Sequence, residues 1–234
     1  MASTSEVTLG ARVANAERLL TNLQSFTAYT AADPVLSIAS LKTLINNIRT
    51  KNTETASAAQ AYSASVDVRQ NLFQKADNSL IKILSLIGAT VRSSFDKTSK
   101  EAADISSMIT KIRGEKVKRT VKDPTADFVS QSERSYGSMT QNFADMITTL
   151  ENYGAKFSPV NNEIKIATLK TRLTKLSGAN VSVTTTYGVQ KEKRDDRAEL
   201  YKNLTAVTQR IKDGVKGQYG LKSTEYSLIK GLKV

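Results

Sequence analysis

The sequence contains no cysteine, no tryptophan and no histidine among its 234 residues. The chain therefore has no thiolate nucleophile, no disulfide framework, no Cys/His zinc site and no imidazole base. A metal ion could be held only by oxygen ligands, and neither a phosphate-cradling glycine loop nor a nucleophile elbow is present. We predict a protein that is not an enzyme and that binds no cofactor or metal.

Proline, glycine and aromatic residues are also scarce, with 3 prolines, 11 glycines and an aromatic share of 6%. Alanine, serine, threonine, lysine and leucine dominate, a composition that favours helices packed through small side chains. The sequence therefore predicts an all-α protein. No apolar run approaches eighteen residues, and the N-terminus lacks the basic and apolar regions of a signal peptide. We expect a soluble, cytoplasmic protein with no transmembrane segment.

Acidic residues are fewer than basic residues. The 34 lysines and arginines outnumber the 22 acidic residues and leave a formal net charge of +12. Such a charge attracts polyanions such as nucleic acid, anionic lipid or acidic protein. It can equally serve only to keep a basic protein soluble, and the composition leaves both interpretations open.

The first helix is predicted within residues 7–30, where Val13, Ala16, Leu19 and Leu23 recur at helical spacing. Pro34 ends this region because proline lacks the backbone donor and disfavours helix in the residue before it.

A longer element is predicted over residues 38–98, which contain no proline and one glycine. Apolar or small residues recur there with a 3.5-residue period from Leu41 to Ile87, apart from Asn52 and Arg69. Two structures fit this pattern: one continuous helix of about 70 to 80 Å, which the unbroken phase favours, or two helices that turn within residues 51–65.

A closing helix is predicted to enter near Ser99 and to end at Gly114. A basic segment overlaps its end and continues as a linker at residues 114–134. Its positive charges form the candidate polyanion-binding site: Lys111, Arg113, Lys116, Lys118, Arg119 and Lys122. The segment has no aromatic side chains that would stack on bases, and a solvated linker is the alternative interpretation.

The sequence that follows the linker repeats the pattern of the first half of the chain. The segment Ile38-Ala-Ser-Leu-Lys-Thr43 matches Ile166-Ala-Thr-Leu-Lys-Thr171 at five of six positions. Further matches follow in one order along the chain, which we interpret as a tandem duplication. The repeats span residues 7–113 and 135–234. Each is predicted to hold a short, a long and a short helix, packed as a pseudo-twofold helical bundle with antiparallel long helices.

In this alignment Pro159 matches Pro34, and a deletion of four residues is required after Ile83. Gly178 and Gly188 fall in the middle of the second long helix, so a break or kink is expected there rather than in the first repeat.

Two pairs of polar residues occupy equivalent seam positions in the two repeats. Arg69 and Arg197 are predicted to be an inward arginine pair that binds a shared anion. Alternatively, each pairs with a carboxylate or packs its stem with its head in water. Asn52 and Asn180 either fix the register of a helical seam or cap a helix that turns at that point.

The opening Met1-Ala-Ser-Thr-Ser-Glu-Val7, the stretch Ser135-Tyr-Gly-Ser-Met139 and the segment Tyr153-Gly-Ala-Lys-Phe-Ser-Pro159 resemble an uncharacterised family of proteins from Flavobacterium and related Bacteroidota. The resemblance covers nearly the whole chain. It implies a soluble bacterial protein and carries no activity, cofactor or catalytic residue.

Two functions follow from these patterns. The first is a non-enzymatic helical scaffold or interaction protein, with a protein partner or self-association expected from its long helices and its duplication. The alternative is a basic nucleic-acid-associated protein that binds DNA or RNA through phosphate contacts.

Overall fold

The computed structural model describes residues 8–114 and 135–234. Within these ranges the chain forms α-helices joined by short turns and contains no β-strand, which confirms the all-α prediction. The helices are α1 (Leu9–Ser25), α2 (Ile38–Gln70), α3 (Leu80–Phe95), α4 (Lys100–Arg113), α5 (Tyr136–Asn152), α6 (Ile166–Tyr219) and α7 (Thr224–Ile229). No helix in the described ranges is both long enough and apolar enough to cross a membrane.

The first long helix is continuous through residues 51–65 but stops earlier than expected. α2 passes into a π-helical turn at Asn71–Lys75, and α3 begins at Leu80. The prediction of one helix over residues 38–98 is therefore wrong after residue 75. The interruption is Ala76-Asp-Asn-Ser79, and the buried Ser79 hydroxyl donates to the Gln74 carbonyl at 3.1 Å. Short polar side chains of this kind compete with helical hydrogen bonding and favour turns.

The prediction for the second long helix is wrong in the opposite sense, because a break was expected and none is found. α6 runs without a break past both Gly178 and Gly188, so the predicted interruption at residues 178–188 is wrong. A glycine inside a helix costs only about 1 kcal/mol relative to alanine. Flanking residues Leu176, Ala179 and Val183 are buried, and their packing outweighs that penalty.

The closing helix α4 begins and ends where the sequence predicts. Ser99 caps its N-terminus by accepting a hydrogen bond from the Ala102 backbone N–H at 3.1 Å. Gly114 ends it in the left-handed conformation, with φ of 62°, which glycine adopts at little steric cost.

The described chain divides into two compact units. Unit 1 comprises the described residues up to Ala61 together with Gly188–Val234, and unit 2 comprises the described residues between Tyr62 and Tyr187. Both units therefore contain segments of both predicted repeats, and α2 and α6 each contribute to both.

In unit 1, α1, the first part of α2, the last part of α6 and α7 surround one core. The largest of its fully buried side chains include Leu19, Leu23, Leu41, Ile48, Leu204 and Ile211. The two long helices run antiparallel here, because Lys51 pairs with Asp196 at 3.2 Å while Thr55 donates to the Lys193 carbonyl at 3.1 Å.

In unit 2, the end of α2, α3, α4, α5 and the first part of α6 enclose a second core. Its buried side chains include Phe73, Leu80, Ile83, Ile105, Phe143 and Leu169. The ring of Phe73 packs against that of Tyr136, with centroids 4.8 Å apart, so the π-helical turn is anchored to the start of α5.

Candidate functional site

The predicted polyanion-binding segment lies mostly outside the described residues. Lys111 and Arg113 lie in the last turn of α4, and Lys116, Lys118, Arg119 and Lys122 are not described. Arg113 lines a cleft of about 790 Å³ in unit 2, together with Gln74, Ile81, Lys82, Ser85, Ile112 and Met139.

The two predicted arginines belong to different compact units, Arg69 to unit 2 and Arg197 to unit 1. Arg69 is half-buried, and its guanidinium carbon lies 4.2 Å from the centroid of the Tyr136 ring. A guanidinium at this distance is attracted to the face of the aromatic ring. Its Nε is buried without a hydrogen-bond partner in the described structure. Arg69 is therefore held by an aromatic ring.

Arg197 lies in a cleft of unit 1, which we call the cationic cleft. Its volume is about 470 Å³, and it is lined by Leu9, Arg12, Arg194, Asp195, Arg197, Ala198, Tyr201 and Lys202. Leu9 and Arg12 belong to the first turn of α1, and the other six belong to α6. Arg194, Arg197, Ala198 and Tyr201 are spaced so that they share one face of that helix.

Arg12 is fixed in the wall of the cationic cleft by three contacts. Its Nη2 donates to the Tyr201 carbonyl oxygen at 3.0 Å and to the Thr205 hydroxyl at 2.6 Å. Its guanidinium carbon also lies 4.8 Å from the centroid of the Tyr201 ring. A carbonyl, a hydroxyl and a ring therefore hold Arg12, which has no carboxylate partner among the described residues.

The other cations of the cleft also have no close ion-pair partner in the described parts of the chain. No described carboxylate lies within ion-pair distance of Arg194, Arg197 or Lys202. Asp195 is the one acidic residue in the lining, and it pairs with Lys191 at 3.3 Å on the exposed side of α6. Four cationic side chains thus share one concave surface with one carboxylate, which is electrostatically suited to an anion.

The N-terminus of α1 adds to this positive potential. The helix begins at Leu9, and its N-cap Thr8 accepts a hydrogen bond from the Ala11 backbone N–H at 3.2 Å. The helix dipole places partial positive charge at this end. Leu9, the first residue of α1, lines the cleft with an apolar side chain. The partial positive charge of the helix N-terminus at the same place attracts an anion.

The two predicted asparagines each donate hydrogen bonds to residues of another helix. In unit 1, Asn52 donates to the Tyr201 hydroxyl at 2.9 Å. In unit 2, Asn180 donates to the Tyr136 carbonyl at 3.3 Å and to the Thr140 hydroxyl at 3.1 Å. Both lie inside long helices, so the interpretation that they cap a turning helix is wrong.

Local hydrogen bonds and burial shift the pKa values of several described side chains. Hydrogen bonds from the Val35 backbone and from Arg210 lower the pKa of Asp33, and a hydrogen bond from Lys51 lowers that of Glu54. Burial lowers the pKa of Lys212, whose ammonium group donates to the Leu232 carbonyl. No group of three or more acidic side chains that could hold a metal ion occurs among the described residues.

The sequence identified Arg197 but missed Arg12, Arg194 and Lys202. The basic residues on α6 lie in a dense run of both charges, typical of any solvated helix face. Arg12 is far away in the chain, and only the packing of α1 against α6 brings it to the same cleft. The chain matches no family model, no curated protein and no solved structure.

Proposed function

We propose that the protein is a non-enzymatic helical interaction protein, with a second copy of the chain as its first partner. The observation that carries this proposal lies in unit 2, where α2 and α6 are side by side. The rings of Tyr62 and Tyr187 pack with centroids 5.6 Å apart, and the hydroxyls of Ser65 and Thr186 are 2.8 Å apart.

Large apolar side chains are exposed on this stretch. Val68 on α2 is 54% exposed, and Val181 and Tyr187 on α6 are 65% and 53% exposed. Single exposed apolar residues are common, but several on one pair of adjoining helices favour a contact surface for another protein. Covering them with a second copy would remove that apolar area from water.

Four described carboxyl groups have pKa shifts in the direction opposite to that of a general acid. Asp33, Glu54, Asp77 and Asp96 are the described carboxyl groups with clearly shifted pKa values, and all four pKa values are lowered by hydrogen bonds. A general acid at neutral pH requires a raised pKa. These four groups remain ionised and serve local structure.

The proposal includes the tandem duplication, which matching contacts in the two units support. Thr8 and Ser135 cap α1 and α5 in the same way. The rings of Phe26 and Tyr219 pack with centroids 5.7 Å apart, and those of Tyr153 and Phe95 pack at 4.8 Å. In the sequence alignment Phe26 corresponds to Tyr153, and Tyr219 to Phe95.

The pattern of burial also supports the duplication and revises its alignment. Leu80, Ile83, Ile87 and Val91 on α3 match the buried residues Leu204, Val207, Ile211 and Val215 on α6 at one constant sequence separation. The four-residue difference then falls at residues 76–79, where the first long helix is interrupted, and not after Ile83. A pseudo-twofold relation between the repeats belongs to the same proposal.

The turn before each long helix also revises the alignment. Asp33 and Asn161 each accept a hydrogen bond from the backbone N–H two residues later, and each begins a 3₁₀ turn. Asn162 therefore occupies the place of Pro34, and Pro159 lies before it.

Light scattering coupled to size-exclusion chromatography tests the interaction proposal. We expect the purified chain to self-associate, and we expect the double substitution Val68→Ser with Val181→Ser to shift it toward the monomer. Val160→Ser is the matched control, because Val160 is 94% exposed in the same unit but lies in a loop. A strict monomer that also captures no partner on affinity purification from its native cells would overturn the proposal.

A second candidate function is association with nucleic acid, favoured by the net charge of +12 and by the cationic cleft. A mobility-shift assay with DNA and RNA tests it. Binding that weakens steeply as salt rises is expected, because each neutralised phosphate releases counterions. No shift at low salt, or one that ignores salt, would contradict it. The bacterial origin and cytoplasmic location belong to the same set of proposals, and fractionation of the native cells tests them.

A further inference from the structure

We propose that the cationic cleft of unit 1 is a phosphate-binding site, in which Arg12, Arg194, Arg197 and Lys202 contact the phosphate group. This inference concerns a small, defined site and does not rest on the interaction function proposed above. Its ligand class is a phosphate group, carried either by a free organic phosphate or by a nucleic-acid backbone.

The first argument is that cations without a described carboxylate partner are gathered around one concave surface. Some cations elsewhere in unit 1 are paired, such as Lys51 with Glu54 at 2.8 Å and Arg210 with Asp33 at 2.8 Å, whereas others, such as Lys216, have no partner among the described carboxylates. Arg194, Arg197 and Lys202 have none, although they lie around one concave surface. Like charges held close together repel one another, and a bound anion would relieve that repulsion.

The second argument is that part of the site is rigid before any ligand arrives. Arg12 is held by the Tyr201 carbonyl, the Thr205 hydroxyl and the Tyr201 ring. The Tyr201 hydroxyl in turn donates to the Leu9 carbonyl at 3.0 Å, which fixes the first turn of α1 against α6. A pre-positioned cation loses less conformational entropy on binding than a free side chain does.

The third argument concerns the chemistry of the ligand. A phosphate monoester carries about −1.5 to −2 charges near neutral pH and three strong acceptor oxygens. Guanidinium groups match such oxygens in a planar, bidentate manner, and the cleft supplies three of them with one ammonium group. A single carboxylate would leave most of this charge without a partner.

The size and walls of the cleft suit an organic phosphate. Its volume of about 470 Å³ falls within the usual range of small-molecule sites, about 300 to 1,000 Å³. Leu9 and Ala198 provide apolar wall beside the cations. The shape therefore accommodates a phosphate together with part of the group that carries it.

Isothermal titration of the full chain with inorganic phosphate, AMP and a short single-stranded DNA tests the proposal. We expect Arg197→Gln to weaken binding by about tenfold or more, the loss typical of a charge-assisted hydrogen bond. Lys202→Gln should weaken binding by about threefold, and Lys216→Gln should leave it unchanged. Lys202 and Lys216 are both exposed lysines on α6 in unit 1, but only Lys202 lines the cleft.

The outcomes separate the sources of the phosphate. Tight binding of AMP that does not improve with DNA identifies a free organic phosphate as the ligand. Affinity that rises with oligonucleotide length identifies the nucleic-acid backbone. The proposal is overturned if none of the three probes binds, or if Lys216→Gln weakens binding as much as Lys202→Gln does. Thermal unfolding of each variant establishes that it is folded as the parent chain is.

Discussion

Asn52 on α2 donates a hydrogen bond to the hydroxyl of Tyr201 on α6 at 2.9 Å, across 149 residues of sequence. The same hydroxyl donates to the Leu9 carbonyl at 3.0 Å, so one phenol oxygen joins three helices of unit 1. It also fixes the two elements that form the cationic cleft. The stability of unit 1 and the geometry of the cleft are therefore linked through Tyr201.

Tyr201→Phe should destabilise unit 1 by about 1 to 3 kcal/mol, because it leaves the Asn52 amide and the Leu9 carbonyl without this partner. Chemical denaturation measures the loss. Tyr187→Phe is the control, because the Tyr187 side chain is largely exposed and loses no hydrogen bond seen in the described structure. Equal stability of Tyr201→Phe and the parent chain would show that this hydrogen-bond chain contributes nothing.

Gly178→Ala and Gly188→Ala should each stabilise the protein, by about 0.5 to 1 kcal/mol. Both glycines lie inside α6, and a Cβ at either position meets no atom within 4 Å. Gly88→Ala on α3 is the contrasting variant, since its Cβ would lie 3.0 Å from Ile109 Cδ1. Thermal denaturation distinguishes them, and a gain for Gly88→Ala as large as that for Gly188→Ala would contradict the argument.

Deletion of residues 76–79 should yield a folded protein in which α2 and α3 form one helix. The buried pattern of α3 would then follow that of α6 without a gap, as the proposed duplication predicts. Circular dichroism should show helix content at least equal to that of the parent chain. Deletion of residues 207–210 from α6 is the control and should unfold unit 1, because it removes the buried Val207 and displaces Ile211. The proposed alignment would be contradicted if deletion of residues 76–79 unfolded the protein while deletion of residues 207–210 did not.

Asp33→Asn should reduce the loss of stability in acid. The Val35 backbone N–H and Arg210 lower the pKa of Asp33 below its ordinary value of 3.8. A lowered pKa in the folded state adds stability above the ordinary value, and that stability disappears as pH falls through the folded-state pKa.

The free energy of unfolding from pH 7 to pH 2 measures this effect. The variant should be less stable than the parent near neutral pH, and the difference should vanish at the acid end. Asparagine still accepts the cap hydrogen bond, as Asn161 does in unit 2, so the comparison isolates the charge. A difference that stays constant over the whole range would assign the effect to something other than the carboxylate charge.

Much of the local structure could be read from the sequence because its causes are local. Ser99 and Gly114 specify the ends of α4 through their own backbone preferences, and no distant residue is needed to place them. The apolar spacing of Leu19 and Leu23 likewise specifies α1 and its buried face. The all-α class follows from the same short-range patterns.

The sequence by itself thus determined the all-α class and local boundaries such as those of α4. Only the tertiary structure decided that α6 passes its glycines while the first long helix stops before Leu80. In α6 the local cost is about 1 kcal/mol per glycine, and packing of the neighbouring buried residues outweighs a cost of that size. The cationic cleft was decided in the same way, because Arg12 and Arg197 become neighbours only when α1 and α6 share a core.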